Sequence, residues 1–163
     1  MKQPLRLVLI LAGLALGTVS HAQVKVGDLF PDVKGRPDAR SPAVYGAVTI
    51  VDFWASWCAP CKASFPAYAR LNAAYASKGL SVVAVSVDED PADYARFVAR
   101  FSPPFAVLLD RGHDLVRQVS VPTMPTCYVL DRRRRVRFIH AGYHGSETDQ
   151  ALRKEVELLL SET

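Results

Sequence analysis

Cys58 and Cys61 stand two residues apart where an apolar run ends, a spacing that suits a pair of thiols able to close into a disulfide and reopen. The run before them (Val48, Ile50, Val51, Phe53) predicts a buried strand, and the periodicity after them predicts a helix. The first turn of a helix carries free N–H groups and the positive end of its dipole, so a thiol placed there ionises more easily. The thiolate is the form that attacks a disulfide. Cys58 is therefore the expected nucleophile and Cys61 the partner that resolves what it captures, the two forming a redox-active disulfide. Pro60 presets the backbone of the first turn at a position where no hydrogen bond is lost, which helps keep the sulfurs close.

The same spacing occurs in zinc sites, but structural zinc takes four ligands, usually with a second Cys or His pair. Beyond the two cysteines the chain offers Cys127, His140 and His144, so no metal and no other cofactor is expected. Asp52 is the one charged residue of the strand, six positions before Cys58. An ionised carboxylate buried there would be costly, so its pKa should rise. Beneath the second cysteine, such a carboxyl could take the proton of Cys61 as that thiol attacks. The alternative is an Asp at the strand end reaching solvent or a backbone donor. Cys127, alone in an apolar strand, is expected to be an inert buried thiol.

The elements that position these residues follow in order. Residues 23–47 carry Pro31, Pro37, Pro42, Gly27, Gly35 and Gly46 and read as an irregular lead-in packing on the core. A strand at about 48–54 leads to a helix from about Cys58 to Ser77, kinked at Pro66 and closed by Gly79. Leu80 to Val87 is a second buried strand, making a right-handed βαβ unit with the first. Asp90 caps the next helix, with Pro91 at its first position, and Ser102-Pro103-Pro104 stops it. A strand at Phe105 to Leu109, a short helix through Leu115 and Val119, a hairpin of Thr126–Leu130 with Val136–Ile139, and a terminal helix capped by Ser146 complete the chain. The run Arg132 to Arg135 reads as the solvated hairpin tip. This is an α/β order: a mixed sheet with helices on both faces.

Residues 1–22 resemble a cleavable signal peptide: Lys2 and Arg6, an apolar run from Leu7 to Leu16, then Ser20-His21-Ala22. Cleavage after Ala22 leaves 23–163 as one domain, with no membrane span expected in the mature chain; the alternative is an uncleaved anchor, for which the apolar stretch is short. Lys2 and Arg6 are two of the 20 basic residues, so the remainder has 18 against 16 acidic, a net +2 that gives no support to nucleic-acid binding. An odd count of three cysteines argues against a structural disulfide framework and for a redox protein in an oxidising space.

The stretch Val51-Asp52-Phe53-Trp54-Ala55-Ser56-Trp57-Cys58-Ala59-Pro60-Cys61-Lys62, with Pro66 after it and Val121-Pro122-Thr123-Met124-Pro125-Thr126 further on, resembles the thioredoxin superfamily. The exported leader and the region between strands point to its TlpA/ResA-like periplasmic branch. The resemblance covers roughly residues 26–160. It implies a thioredoxin-like fold with an N-terminal extension and one inserted βα region. It implies a cis bond before Pro125, with the Met124 backbone pairing with a substrate strand, and Gly142 matches a family glycine. It further implies a periplasmic thiol:disulfide oxidoreductase acting on disulfide-bearing proteins. A reductase fed by a membrane thiol-electron donor is favoured, and a monomer is expected. Cytochrome c maturation is one use found in the branch. Two positions depart from it: Asp52 replaces the branch's usual Asn, and Ser64 stands where it usually has Glu.

The expected substrate-binding set is Trp57, Pro60, Met124 and Pro125. Trp57 either offers an apolar platform or packs on the lead-in, whereas Trp54 is read as core. A second function class stays open: two thiolates near the thioether of Met124 make a soft-ligand cluster able to hold Cu(I) for metalloprotein assembly.

Overall fold

The computed structural model describes residues 23–33 and 45–162, so the leader expected at 1–22 and part of the lead-in lie outside the described residues. β1 (Val48–Trp54) is buried at every position, as the centre strand of a sheet covered on both faces must be. It pairs in parallel with β2 (Leu80–Ser86) and antiparallel with β4 (Thr126–Leu130). β3 (Ala106–Leu109) lies parallel beyond β2, and β5 (Val136–Ala141) antiparallel beyond β4, giving the order β3-β2-β1-β4-β5.

Handedness decides which face each helix covers. From β1 to β2 to β3 the chain steps one way across the sheet, and two right-handed crossovers in the same direction put both helices on one face. Those are α1 (Ala59–Tyr75) and α2 (Pro91–Phe101). The terminal helix α4 (Ser146–Ser161) joins them, its Leu152, Val156 and Leu159 packing with Tyr68, Leu71 and Tyr75 over Val48, Ile50 and Val129. The short α3 (Asp114–Val119) covers the other face, where Leu115 and Val119 meet Val51, Phe53, Val83 and Leu108. Phe30 and Val33 of the lead-in close that same core, with the Phe30 ring 5.2 Å from Tyr128. No helix among the described residues is long and apolar enough to cross a membrane.

Local signals account for most boundaries. Cys58 is the N-cap of α1, the helix continues through Pro66, and a 3₁₀ turn (Ala76–Lys78) ends at Gly79. The carboxylate of Asp90 accepts the Ala92 N–H at 2.8 Å, and Pro91 opens α2. Two expectations need correction. Ser146 is the first residue of α4 rather than its cap; the cap position belongs to Gly145 at φ 63°, where a side chain would be strained, and Thr148 Oγ1 accepts the His144 N–H. The arginine run is only partly a solvated tip. Arg134 pairs with Asp32 at 3.3 Å and lies over the Tyr45 ring, and Arg135 donates to the Gly27 carbonyl at 3.0 Å. These arginines tie the hairpin to the lead-in.

The six-residue α3 has no cap from its own N-cap residue, His113, whose φ is 55°. Asp110, buried at the end of β3, supplies it: its carboxylate accepts the N–H of Leu115 at 3.2 Å and of Val116 at 2.9 Å. Asp110→Ala is expected to lower stability by about 2 kcal/mol by leaving these donors unpaired. Urea denaturation measures it, and a loss below about 0.5 kcal/mol, the range of an ordinary surface change, contradicts the assignment.

Candidate active site

Cys58 and Cys61 are joined in a disulfide, with Cα atoms 5.3 Å apart. Their placement follows from β1 ending at Trp54 and α1 beginning at Ala59, so the intervening turn lifts Cys58 into the helix's N-cap position. The Cys61 N–H points at Cys58 Sγ across 3.2 Å, and no acidic side chain occupies the first turn to offset the helix dipole. A charge developing on Cys58 thus meets a backbone donor already aimed at it. Cys58 is 5% exposed and Cys61 wholly buried, so the first sulfur is the one an outside group reaches. Pro60 is exposed beside them, and Trp57 is 70% exposed rather than packed on the lead-in.

The turn is held from below by a residue that the sequence reading missed. Asp88, buried just after β2, accepts the Ser56 N–H at 3.0 Å and the Ser56 hydroxyl at 2.8 Å on Oδ1, and the Ser86 hydroxyl at 2.7 Å on Oδ2. Ser56 directly precedes Trp57 and Cys58, so Asp88 fixes the approach to the helix. Under the disulfide lies an aromatic floor. Trp54 sits 4.3 Å from Phe97 and 5.0 Å from Phe65, ring to ring, in one apolar cluster with both cysteines. Trp54 is core, as expected.

Asp52 lies in β1 on the face under α1 and is fully buried, which excludes the solvent-reaching alternative. The sheet register sets Ala84 on one side of it and Cys127 on the other. Tyr68 of α1 donates its hydroxyl to Asp52 Oδ1 at 2.8 Å; Oδ2 has no partner among the described residues. Burial pushes the carboxyl up to about 8, against the opposing pull of the Tyr68 hydroxyl. Burial, and then the charge of Asp52, also hold the Cys127 thiol well above the ordinary range, so it stays protonated. Tyr68 stood out in the sequence only as a helix position, and Ser64 only as a departure from the branch's usual Glu. Cys61, Ser64 and Tyr68 nevertheless share one buried face of α1, with Ser64 Oγ donating to the Cys61 carbonyl at 2.9 Å.

The second landmark lies across the site. The Met124–Pro125 bond is cis. Met124 is half-buried against the cluster that holds both cysteines. Pro125 is buried, its carbonyl accepting the Gly142 N–H at 2.8 Å, and Thr126 Oγ1 donates to the Thr123 carbonyl at 2.8 Å, which pins the loop. His140, left unassigned by the sequence, meets Glu155 at 2.8 Å and stands opposite Cys127 in the register of β4 with β5.

Comparison with known proteins agrees with this geometry. The Redoxin family model matches residues 25–154. The thiol-disulfide oxidoreductase ResA of Geobacillus thermodenitrificans is 30% identical over 147 residues, covering 83% of this chain and 84% of that protein. Among solved structures, a candidate thiol:disulfide interchange protein DsbE from Chlorobium tepidum superposes with a TM-score of 0.75 at 32% identity, over 85% of this chain and 99% of the other. StoA from Bacillus subtilis gives 0.57 at 25% identity, over 66% and 81%. With a thioredoxin-like sheet, a helix-capping disulfide and a cis-proline loop beside it, the chain belongs to the Redoxin family and is a thiol:disulfide oxidoreductase of the ResA type.

Proposed function

We propose that this enzyme works in the periplasm as a reductase of protein disulfides, with Cys58 as nucleophile, Cys61 as resolving thiol and Asp52 as the base for Cys61. The observation that carries the reading is the asymmetry of the pair: Cys58 caps a helix and keeps 5% exposure, whereas Cys61 is wholly enclosed on the face of α1 that also carries Tyr68, the donor to Asp52. The Cys58 thiolate attacks one sulfur of a substrate disulfide and expels the other as a thiolate, forming a mixed disulfide. Cys61 passes its proton to Asp52 and attacks Cys58 Sγ, which releases the second substrate thiolate and closes the Cys58–Cys61 bond. The substrate gains two electrons and the enzyme loses two, which a membrane-held thiol donor restores. Trp57, Pro60 and Met124 form the surface on which the substrate strand rests, and the buried Pro125 sets the backbone of Met124 for it. The leader-like residues 1–22 support export, and the resemblance to the TlpA/ResA-like branch favours the reducing direction.

Cys61→Ser removes the resolving thiol and is expected to accumulate substrate proteins on Cys58 as mixed disulfides, visible as mass-shifted, reductant-sensitive adducts. An absence of adducts, with Cys58 still alkylatable, overturns the assignment. Equilibration with glutathione tests direction: a potential well above about −180 mV, toward the strong oxidants, is incompatible with a reductase.

The carboxyl makes its own prediction. Its native pKa of about 8 lies above the unfolded value near 3.8, so between those pH values the folded protein holds more protons than the unfolded one. The stability linked to protonated Asp52 is full below pH 4 and is lost as pH rises toward 8. Asp52→Asn should remove that slope and be the more stable protein at pH 8, by on the order of a few kcal/mol. It should also slow turnover near pH 8 by about 10²-fold, the low end for a positioned base. Denaturation midpoints and rates across pH check both; parallel pH curves for the two proteins would contradict the role.

A further inference from the structure

Asp52 has two oxygens, and only one of them is engaged. Tyr68 donates its single hydroxyl proton to Oδ1 at 2.8 Å, while Oδ2 is buried without a partner among the described residues. We infer that Tyr68 is a positioning residue for the resolving step: by occupying Oδ1 it locks the carboxyl's orientation and leaves Oδ2 as the one oxygen that exchanges a proton with the Cys61 end of the site. The inference rests on the role proposed above for Asp52.

The geometry favours this over packing alone. Cys61, Ser64 and Tyr68 lie at successive positions on the buried face of α1. Helical side chains lean toward the helix's N-terminus, so Tyr68 reaches back under Ser64 toward Cys61 rather than away from it. Ser64 spends its own proton on the Cys61 carbonyl at 2.9 Å, so it does not compete for Oδ2. The groups facing Asp52 from the other packed elements do not replace Tyr68. β4 contributes Cys127, a buried thiol opposite Asp52 in the register. The nearest acid of α4 is Glu155, which acts on Cys127 rather than on Asp52 and is held by His140 of β5 at 2.8 Å. β2 contributes Ala84, which has no polar side chain. Among the described residues no cation lowers the cost of the Asp52 charge, and burial is opposed only by the Tyr68 hydroxyl. With burial fixed, the one donor is what a substitution can change to move the carboxyl's proton affinity.

Tyr68→Phe removes one oxygen and keeps the ring. Reduced protein is mixed rapidly with a disulfide-linked, fluorescence-quenched peptide pair, and the second phase, release from Cys58, is followed against pH. The expected result is an alkaline shift of that profile by about one pH unit, with the high-pH plateau retained. Infrared difference spectra of the oxidised protein, with the Asp52 band identified by its loss in Asp52→Asn, should show the protonated carboxyl persisting to correspondingly higher pH. Replacing Tyr68 by an ortho-fluorinated tyrosine, a stronger donor that keeps the ring and hydroxyl, should move both readouts toward acid, and serves if the phenylalanine variant does not fold. In an Asp52→Asn background, neither change at position 68 should move the kinetic profile. If Asp52→Asn behaves normally as a lost base but the changes at Tyr68 leave the profile and the carboxyl band where they were, the positioning role is overturned. A shift at Tyr68 that survives Asp52→Asn overturns it as well. A wild-type profile for Asp52→Asn brings down the base itself, and with it this inference.

Discussion

A carboxyl group in the middle strand of a five-stranded sheet, with one hydroxyl for company, is the constraint around which this protein is arranged. Nothing forces an enzyme to place an acid there, and the cost of ionising it opposes stability throughout the neutral range. It is tolerated because the neighbouring strand positions are small or soft (Ala84 and Cys127) and because α1 crosses at an angle that lowers a tyrosine onto it. The sulfur chemistry and the proton chemistry are then two ends of one strand–helix corner. β1 carries the carboxyl, the turn carries Cys58, and the same helix carries Cys61 and Tyr68. The oxidised state seen here is the state in which Asp52, on the proposed mechanism, has just received a proton, and a raised affinity for that proton is what such a state needs.

Two buried aspartates lie close to the disulfide and are treated in opposite ways. Asp88 is saturated with donors from Ser56 and Ser86, an arrangement that makes it an anchor. Asp52 is left undersupplied, an arrangement that makes it a group able to change charge. One residue type thus serves as fastening in one place and as reagent in another, and the difference lies wholly in how many hydrogens point at it. The aromatic floor of Trp54, Phe65 and Phe97 adds the third requirement, a rigid and dry base beneath the helix's first turn.

How much of this was legible beforehand follows from where each signal is stored. Asp52, Cys58 and Cys61 lie within ten residues of one another, and strand pattern, spacing and capping chemistry are local properties, so their placement could be read directly. Asp90 and Pro91 announced α2 for the same reason. Tyr68 could be read only as a core position, because helical spacing tells which face a residue occupies and not which strand residue it will meet. That meeting depends on how α1 crosses β1. Cys127 opposite Asp52 likewise depends on the pairing of β1 with β4, strands separated by more than half of the domain. Asp88 sits in a run of acids before a helix, of which Asp90 carries the capping signal; an acid immediately after a buried strand and a serine before the cysteines are the local clues to it. At Arg134 and Arg135 composition suggested solvent, and the lead-in's Asp32, Tyr45 and Gly27 carbonyl decided otherwise.

The lead-in has a further consequence through the backbone. Gly27 N–H donates to the Val136 carbonyl at 2.7 Å, Val136 N–H to Asp28 at 2.9 Å and Phe30 N–H to Arg134 at 2.9 Å, with Leu29 bridging Arg135. These bonds occupy the outer rim of the hairpin where β5 begins, a row of donors and acceptors that would otherwise invite a strand from another molecule. The opposite rim, β3, is only four residues long. On the proposed role with disulfide-bearing proteins, guarding its own flanks in this way discourages clients from adding to the sheet and directs them to the cysteine face, where a captured strand can be let go.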